Sequence, residues 1–415
     1  MAANLDYLSR PHTPASTTYF FNLIEDIGRA LEPTPTQLAT LERSYKSTGE
    51  FLTHCFEFEG HLLEIHPQGS RELGTITRPI HKTDGFDIDL VARLDQKAWH
   101  TYSGTGGPKL LLDRLHTAVS RYAQQHNLKL IRWDRCVTLE YADGMSADIA
   151  PVIDWPMLGA THGNLHVLIP DRDQSRYHPS NPRGFTKLFG TIAAISPVFL
   201  ATEMLKAEGT VTKRADVAPL APADEVFERP LCRLVQVMKL HRNVSFAKAH
   251  KFKHLMPSSV FLTVLAALSY QVQAPRPHTD QLHLFTDVIE TMPKMFRRTL
   301  LGNGREECHL DNPTAPGDNL AATMNEPGKH EAFFQWHAQL SKDITGLIAA
   351  IDERRGMDRV HELVTEAFGD KAASASHQAQ LSRQSTIRAA GRTVATTAAG
   401  IVIPMTAKSH TFFGG

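Results

Sequence analysis

Apolar residues recur at intervals of three and four from Tyr19 onward, in Phe20, Phe21, Ile24, Ile27 and Leu31. Pro33 and Pro35 break that run, so two successive helices are predicted up to about Phe58. From His61 the spacing changes. Leu62, Leu63 and Ile65 lead into Gly69-Ser70, and Phe86-Asp87-Ile88-Asp89-Leu90-Val91 alternates with a period of two, as a strand does. Leu110–Gln125 has the spacing of an amphipathic helix, and Leu128–Tyr141 and Met145–Ile153 read as strands joined by a hairpin turn at Asp143-Gly144. After about Asn181 the alternation fades. Helical spacing returns in Phe185–Ala207, Pro230–Arg242, Pro257–Gln271, His278–Arg297 and Lys329–Ile351, with a loop rich in Ala, Pro and Asp at Glu208–Arg229. Beyond about Asp370 the chain is dominated by Ala, Ser, Gln and Thr. The pattern predicts an α+β protein: a sheet domain with N-terminal helices over residues 1–180, a helical domain over 181–385 and a flexible C-terminal tail over 386–415.

Composition narrows the partners. The 44 Lys and Arg balance 44 Asp and Glu over 415 residues, which argues against stable binding to duplex DNA but leaves room for a small anion held by local cations. The four cysteines (Cys55, Cys136, Cys232, Cys308) are far apart, fitting a reducing cytosol rather than a disulfide scaffold. The N-terminus has no signal-peptide pattern, and the longest apolar stretch, Val260–Leu268, is too short to span a membrane, so a cytoplasmic protein is expected. Cys308-His309 is an adjacent Cys/His pair among the 22 histidines, and without a second pair at ligand spacing it does not make a zinc site.

The chemistry concentrates in three places. Gly69-Ser70 closes a strand and opens a short helix, where backbone N–H groups and a hydroxyl suit phosphate oxygens. Seventeen residues after Ser70, Asp87-x-Asp89 puts two carboxylates on one face of an apolar strand. Like charges side by side cost stability unless a cation lies between them. Asp148, in Ser146-Ala147-Asp148-Ile149-Ala150-Pro151, adds a third strand carboxylate and is preferred to Asp143, in the turn, and Asp154, after the strand. Three carboxylates of this kind suit two Mg²⁺ ions, which would activate a hydroxyl and stabilise a pyrophosphate leaving group.

These motifs together resemble the nucleotidyltransferases of the polymerase-β type, and more narrowly the CD-NTases, the cGAS/DncV-like enzymes of bacterial CBASS antiphage defence. The resemblance rests on Gly69-Ser70-Arg71-Glu72-Leu73-Gly74-Thr75 with Arg78-Pro79, on Phe86–Val91 and on Asp148-Ile149-Ala150-Pro151. It extends to a Val-Gln-x-x-Lys-x-x-Arg helix in Val235–Arg242, to Ser258-Ser259, and to Asp311-Asn312-Pro313 with Asn319. It implies a polymerase-β-like sheet domain packed on a helical domain. It further implies that Gly69 and Ser70 hold the donor triphosphate, that Asp87, Asp89 and Asp148 are catalytic and bind two Mg²⁺ (or Mn²⁺) ions, and that Lys239 and Ser259 reach the triphosphate from the helical side. Val260 stands where some relatives carry an aromatic that stacks on a base. The implied reaction joins nucleoside triphosphates without a template into a cyclic di- or oligonucleotide messenger. Two alternatives are an enzyme that extends RNA or oligoadenylate and a catalytically inactive nucleotide-binding protein.

The chain ends Phe412-Phe413-Gly414-Gly415, which resembles a ubiquitin-type C-terminus. The same family resemblance implies conjugation through Gly415 by a ubiquitin-transfer-like (E1/E2-type) CBASS ligase.

Overall fold

The computed structural model describes residues 12–58, 60–77, 86–141, 144–200, 230–302, 304, 306–389, 392–396 and 402–406. Two helices come first, α1 (Pro14–Leu31) and α2 (Pro35–Thr53). Each has Pro in its first turn and a threonine cap: Thr13 accepts from the Ser16 N–H, and Thr34 forms a capping box with Gln37. Then follow β1 (Leu62–Gln68), α3 (Gly69–Glu72), β2 (Asp87–Leu94), α4 (Trp99–Tyr102), α5 (Gly107–His126), β3 (Lys129–Arg132), β4 (Val137–Glu140), β5 (Ser146–Asp154), β6 (Val167–Asp171) and β7 (Arg176–Ser180).

These seven strands form one sheet in the order β1-β2-β5-β4-β3, with β6 beside the far end of β5 and β7 beside β6. All its pairings are antiparallel except β2 with β5. One apolar face buries Ile88, Leu90, Leu139 and Ile149 against Leu111, Leu115 and Val119 of α5 and Leu41 and Leu52 of α2. The opposite side chains of β2 and β5, the acidic ones, therefore face away from this core.

The second lobe is helical: α6 (Pro182–Ala193), α7 (Pro230–Lys248), α8 (Ser259–Gln273), α9 (Gln281–Thr291), α10 (Lys329–Asp352), α11 (Met357–Phe368) and α12 (Asp370–Ala389). Small pairs β8 (Val198–Phe199) with β9 (Pro277–His278) and β10 (Arg297–Leu300) with β11 (Glu306–His309) decorate it. The N-terminal α1 packs here and not on the sheet, with Phe20, Ile24 and Ile27 in one core with Leu234, Met238, Leu265 and Phe333. α7 runs through the middle and is buried on every side. No helix among the described residues is long and apolar enough to cross a membrane.

The structure departs from the sequence pattern in several elements. The expected strand Leu128–Tyr141 divides into β3 and β4 around a turn at Trp133–Cys136, closed by a bond from the Trp133 N–H to the Cys136 carbonyl (3.0 Å). The helix expected over Phe185–Ala207 ends at Ala193, since Pro197 disfavours helical geometry at Ser196. That over His278–Arg297 shortens to α9 between the Asp280 cap and Pro293. The Ala- and Ser-rich stretch after Asp370 is helix α12, which Arg383 pins to α1 through both oxygens of Asp26. Part of the segment read as a tail forms a hairpin of β12 (Arg392–Thr396) and β13 (Val402–Thr406). Gly415 lies outside the described residues.

Candidate active site

The floor of the site is the parallel pair β2–β5. In its register Asp87 lies opposite Ser146 and Asp89 opposite Asp148, while on the other side Asp89 pairs with Gln68 at the end of β1. Phe86, Ile88, Leu90, Ala147 and Ile149 point into the core, so strand alternation puts all three carboxylates on the opposite face. Gly69 follows directly with φ +70°, a left-handed conformation that favours glycine, and a Cβ there would overlap the Asp89 carboxylate. The turn that carries Ser70 into the site thus depends on a residue without a side chain.

Neighbouring strands run about 4.8 Å apart, and two full charges at about 5 Å in an effective dielectric of about 20 repel by about 3 kcal/mol. Burial first, then Asp148 and Asp87, push the Asp89 carboxyl up to about 7, against a smaller pull from Lys239. Burial also raises Asp148, with Asp87 adding to it and a hydrogen bond from Thr138 opposing it. A hard cation relieves such a set, and carboxylate oxygens are its ordinary ligands. As placed, Asp87 accepts from Ser146 Oγ and Asp148 from Thr138 Oγ1, and among the described residues no three acidic, histidine or cysteine side chains close on one point. The backbone brings the three carboxylates to one floor of the cleft. Of the competing acids, Asp154 gives both oxygens to Arg93 (2.6 and 2.8 Å), and Asp143 lies outside the described residues.

The helical wall is built by α7. Cys232, Gln236 and Lys239, spaced along one stripe of the helix, donate to the carbonyls of Leu73, Ile76 and Thr75 (3.3, 3.0 and 3.2 Å). These carbonyls belong to the segment that follows Gly69-Ser70, so α7 holds that turn from behind. Arg233 fixes the Gln236 amide by donating to its Oε1 (2.6 Å). Lys239 is only 4% exposed, and its ammonium also donates to Thr75 Oγ1 (3.1 Å). Burial and the neighbouring Arg242 bring it down to about 8, while Asp89 pulls the other way.

All seven site residues expected from sequence in the described part, Gly69, Ser70, Asp87, Asp89, Asp148, Lys239 and Ser259, line one cleft of about 910 Å³ between the lobes. The sequence pattern alone assigned no role to Arg242, which also lines it. Its buried guanidinium meets the Pro257 carbonyl (2.9 Å), Ser259 Oγ (3.1 Å) and Asn243 Oδ1 (2.7 Å), fixing the start of α8 against α7. Its place in the Lys-x-x-Arg pattern was the available signal. Tyr141 and Phe185 line the cleft as aromatic faces, beside the half-exposed Val260.

The repulsion has a measurable consequence. A carboxyl whose folded-state pKa lies above its unfolded value stabilises the fold at low pH and loses that contribution as pH rises through the folded value. In the metal-free protein Asp89→Asn therefore melts close to wild type at pH 4 and above it, by a few kcal/mol of stability, at pH 8. Added Mg²⁺ raises the melting temperature of wild type at pH 8 and leaves that of the variant unchanged. Thermal melts of both proteins at the two pH values, with and without Mg²⁺, check this.

Known proteins resemble this chain in sequence and in fold. Residues 16–191 match the family described as Second Messenger Oligonucleotide or Dinucleotide Synthetase domain. A c-di-GMP synthase of Roseivirga ehrenbergii is 26% identical over 363 residues, 86% of each chain. The cyclic dinucleotide synthase CdnG of Bradyrhizobium diazoefficiens is 29% identical over 194 residues, 46% of this chain and 44% of that one. In structure, the Bradyrhizobium diazoefficiens CD-NTase CdnG in complex with GTP superposes with a TM-score of 0.60 at 21% identity, covering 86% of this chain and 98% of that one, a likeness of fold. The domain match over residues 16–191, the related sequences and the shared fold agree: the chain is similar in sequence to cyclic dinucleotide synthases and has the fold of a CD-NTase.

Proposed function

We propose that the protein is a cyclic dinucleotide synthase, using nucleoside triphosphates and Mg²⁺ without a template. The observation that carries this reading is the register of β2 and β5, which sets Asp87, Asp89 and Asp148 together on the floor of a cleft walled by Ser70 and Lys239. The names of the related sequences, a c-di-GMP synthase and a cyclic dinucleotide synthase, support the same product class. In each transfer a hydroxyl oxygen of the acceptor nucleotide bonds to the α-phosphorus of the donor. The bond from that phosphorus to the pyrophosphate oxygen breaks, and the hydroxyl proton passes toward Asp148. A second transfer within the same cleft closes the ring.

Asp87 and Asp89 would hold two Mg²⁺ ions, with Asp148 as the further ligand. When bound, the ions supply charge neutralisation at the reacting phosphate and the departing pyrophosphate. Ser70 and the turn at Gly69 orient the donor phosphates, with Ser259 meeting them from α8. Lys239 stays buried behind the turn, where its ammonium adds positive field and fixes Thr75. A volume of about 910 Å³ lies at the upper end of the roughly 300–1,000 Å³ of small-ligand sites, consistent with two nucleotides. We assign the product to antiphage signalling and Gly415 to regulatory conjugation.

Incubation with the four nucleoside triphosphates and Mg²⁺, followed by phosphatase and mass spectrometry, gives a resistant cyclic dinucleotide; GTP alone is the first mixture to test. Asp87→Asn and Asp89→Asn abolish it, and Gly69→Ala lowers its rate by at least about 100-fold, since a misplaced substrate-orienting turn costs that much. Linear extension of an added RNA, or no product from wild type, contradicts the reading. Deletion of Gly415 removes conjugates in cells carrying the transfer genes and leaves synthesis in vitro unchanged; persisting conjugates reject the role given to the tail.

A further inference from the structure

Thr138 sits on β4 directly opposite Asp148 in the antiparallel β4–β5 register. It is 7% exposed, between the fully buried Val137 and Leu139, so its hydroxyl needs partners inside the protein. It has two. The indole Nε1 of Trp133, folded back from the β3–β4 turn, donates to Thr138 Oγ1 (2.8 Å), and Thr138 Oγ1 donates to Asp148 Oδ1 (2.5 Å).

The chemistry of these groups fixes the direction of the chain. An indole N–H only donates, so Thr138 must accept from it. A hydroxyl has one proton, and an ionised carboxylate can only accept, so that proton is aimed at Asp148. Asp148 Oδ1 is thereby engaged as an acceptor, and the carboxylate has a second oxygen to offer the cleft that Asp148 lines. Among the described residues, Asp87 and Asp89 have no such arrangement. Asp87 meets only the Ser146 hydroxyl among the described residues, and Asp89 is surrounded by other charges.

We propose that Thr138, oriented by Trp133, is a positioning residue that presents Asp148 to the metal and to the acceptor hydroxyl. This rests on the synthase reading above, in which Asp148 is a metal ligand. Hydrogen-bond partners behind metal ligands typically contribute 10- to 100-fold to metal affinity or activity. A purely structural Thr138 would instead affect stability alone. Trp133 is 54% exposed, so the chain of donors runs from the protein surface to the site through one buried hydroxyl.

The test uses Thr138→Val, which keeps the branched shape and removes the hydroxyl, Thr138→Ser, which restores it, and Trp133→Phe, which removes only the indole donor. Two quantities are measured on the full chain: Mn²⁺ affinity without nucleotide, from the free-ion electron paramagnetic resonance signal, and steady-state kcat and KM. Thr138→Val weakens Mn²⁺ binding about 10-fold and lowers kcat by a similar factor with KM little changed. Thr138→Ser returns both toward wild type, and Trp133→Phe shifts both in the same direction by less. Wild-type Mn²⁺ binding in Thr138→Val, or a Thr138→Ser variant as impaired as the valine, overturns the proposal. Wild-type behaviour of Trp133→Phe overturns the part played by the indole. Should the valine variant not fold, the serine and phenylalanine variants decide. If wild type itself neither binds Mn²⁺ nor makes product, it is the synthase reading that fails; when wild type does both, the variants bear on Thr138 alone.

Discussion

Asp89 and Asp148 face each other across the one parallel strand pair of the central sheet, and the surroundings of the cleft are organised by that repulsion. Strand pairing fixes the backbone, so the two carboxylates cannot separate without unpairing β2 from β5. Their apolar neighbours on the same strands are committed to the core, which prevents the register from slipping by one residue. The sheet therefore holds negative charge where the fold alone would not favour it. Sites that spend stability in this way are commonly functional.

The helical lobe answers this charge from a distance. Lys239 brings a buried ammonium within electrostatic reach of Asp89, but its hydrogen bonds go to Thr75. Through Cys232, Gln236 and Lys239 one helix stripe grips the chain between the Gly69-Ser70 turn and β2. The relative placement of the lobes is thus tied to the placement of Ser70. Arg242 does the same for the other side of the cleft by joining α7 to the start of α8. Both cations fix backbone that borders the cleft.

Much of this was legible in the sequence where a period or motif carried it. The alternation in Phe86–Val91 gave the face shared by Asp87 and Asp89, and the strand around Asp148 marked the third acid. The choice over Asp154 became physical only with Arg93, whose guanidinium occupies that carboxylate. Strands β6 and β7 escaped because Pro170, His178 and Pro179 interrupt any apolar alternation. Helix α12 lacks a long apolar stripe, although alanine-rich composition favours helix; it is attached by Ala372 and Ala373 in the helical core and by Arg383 meeting Asp26 more than 350 residues away in the chain. Thr138 gave no signal, because its role depends on a turn and two strands meeting. The burial of Lys239 was equally hidden, since a lysine in a helix motif reads as a solvated charge.

Under the proposed function, the β2–β5 register builds a two-ion site from Asp87, Asp89 and Asp148. The most direct measurement is a crystal structure with Mn²⁺ and a non-hydrolysable nucleoside triphosphate, with the ions located by anomalous scattering. The expected map has two peaks on the sheet side of the cleft, both touching Asp87 and Asp89 and one also touching Asp148. Peaks that avoid these carboxylates, or a bound nucleotide with Mn²⁺ placed elsewhere, would contradict it.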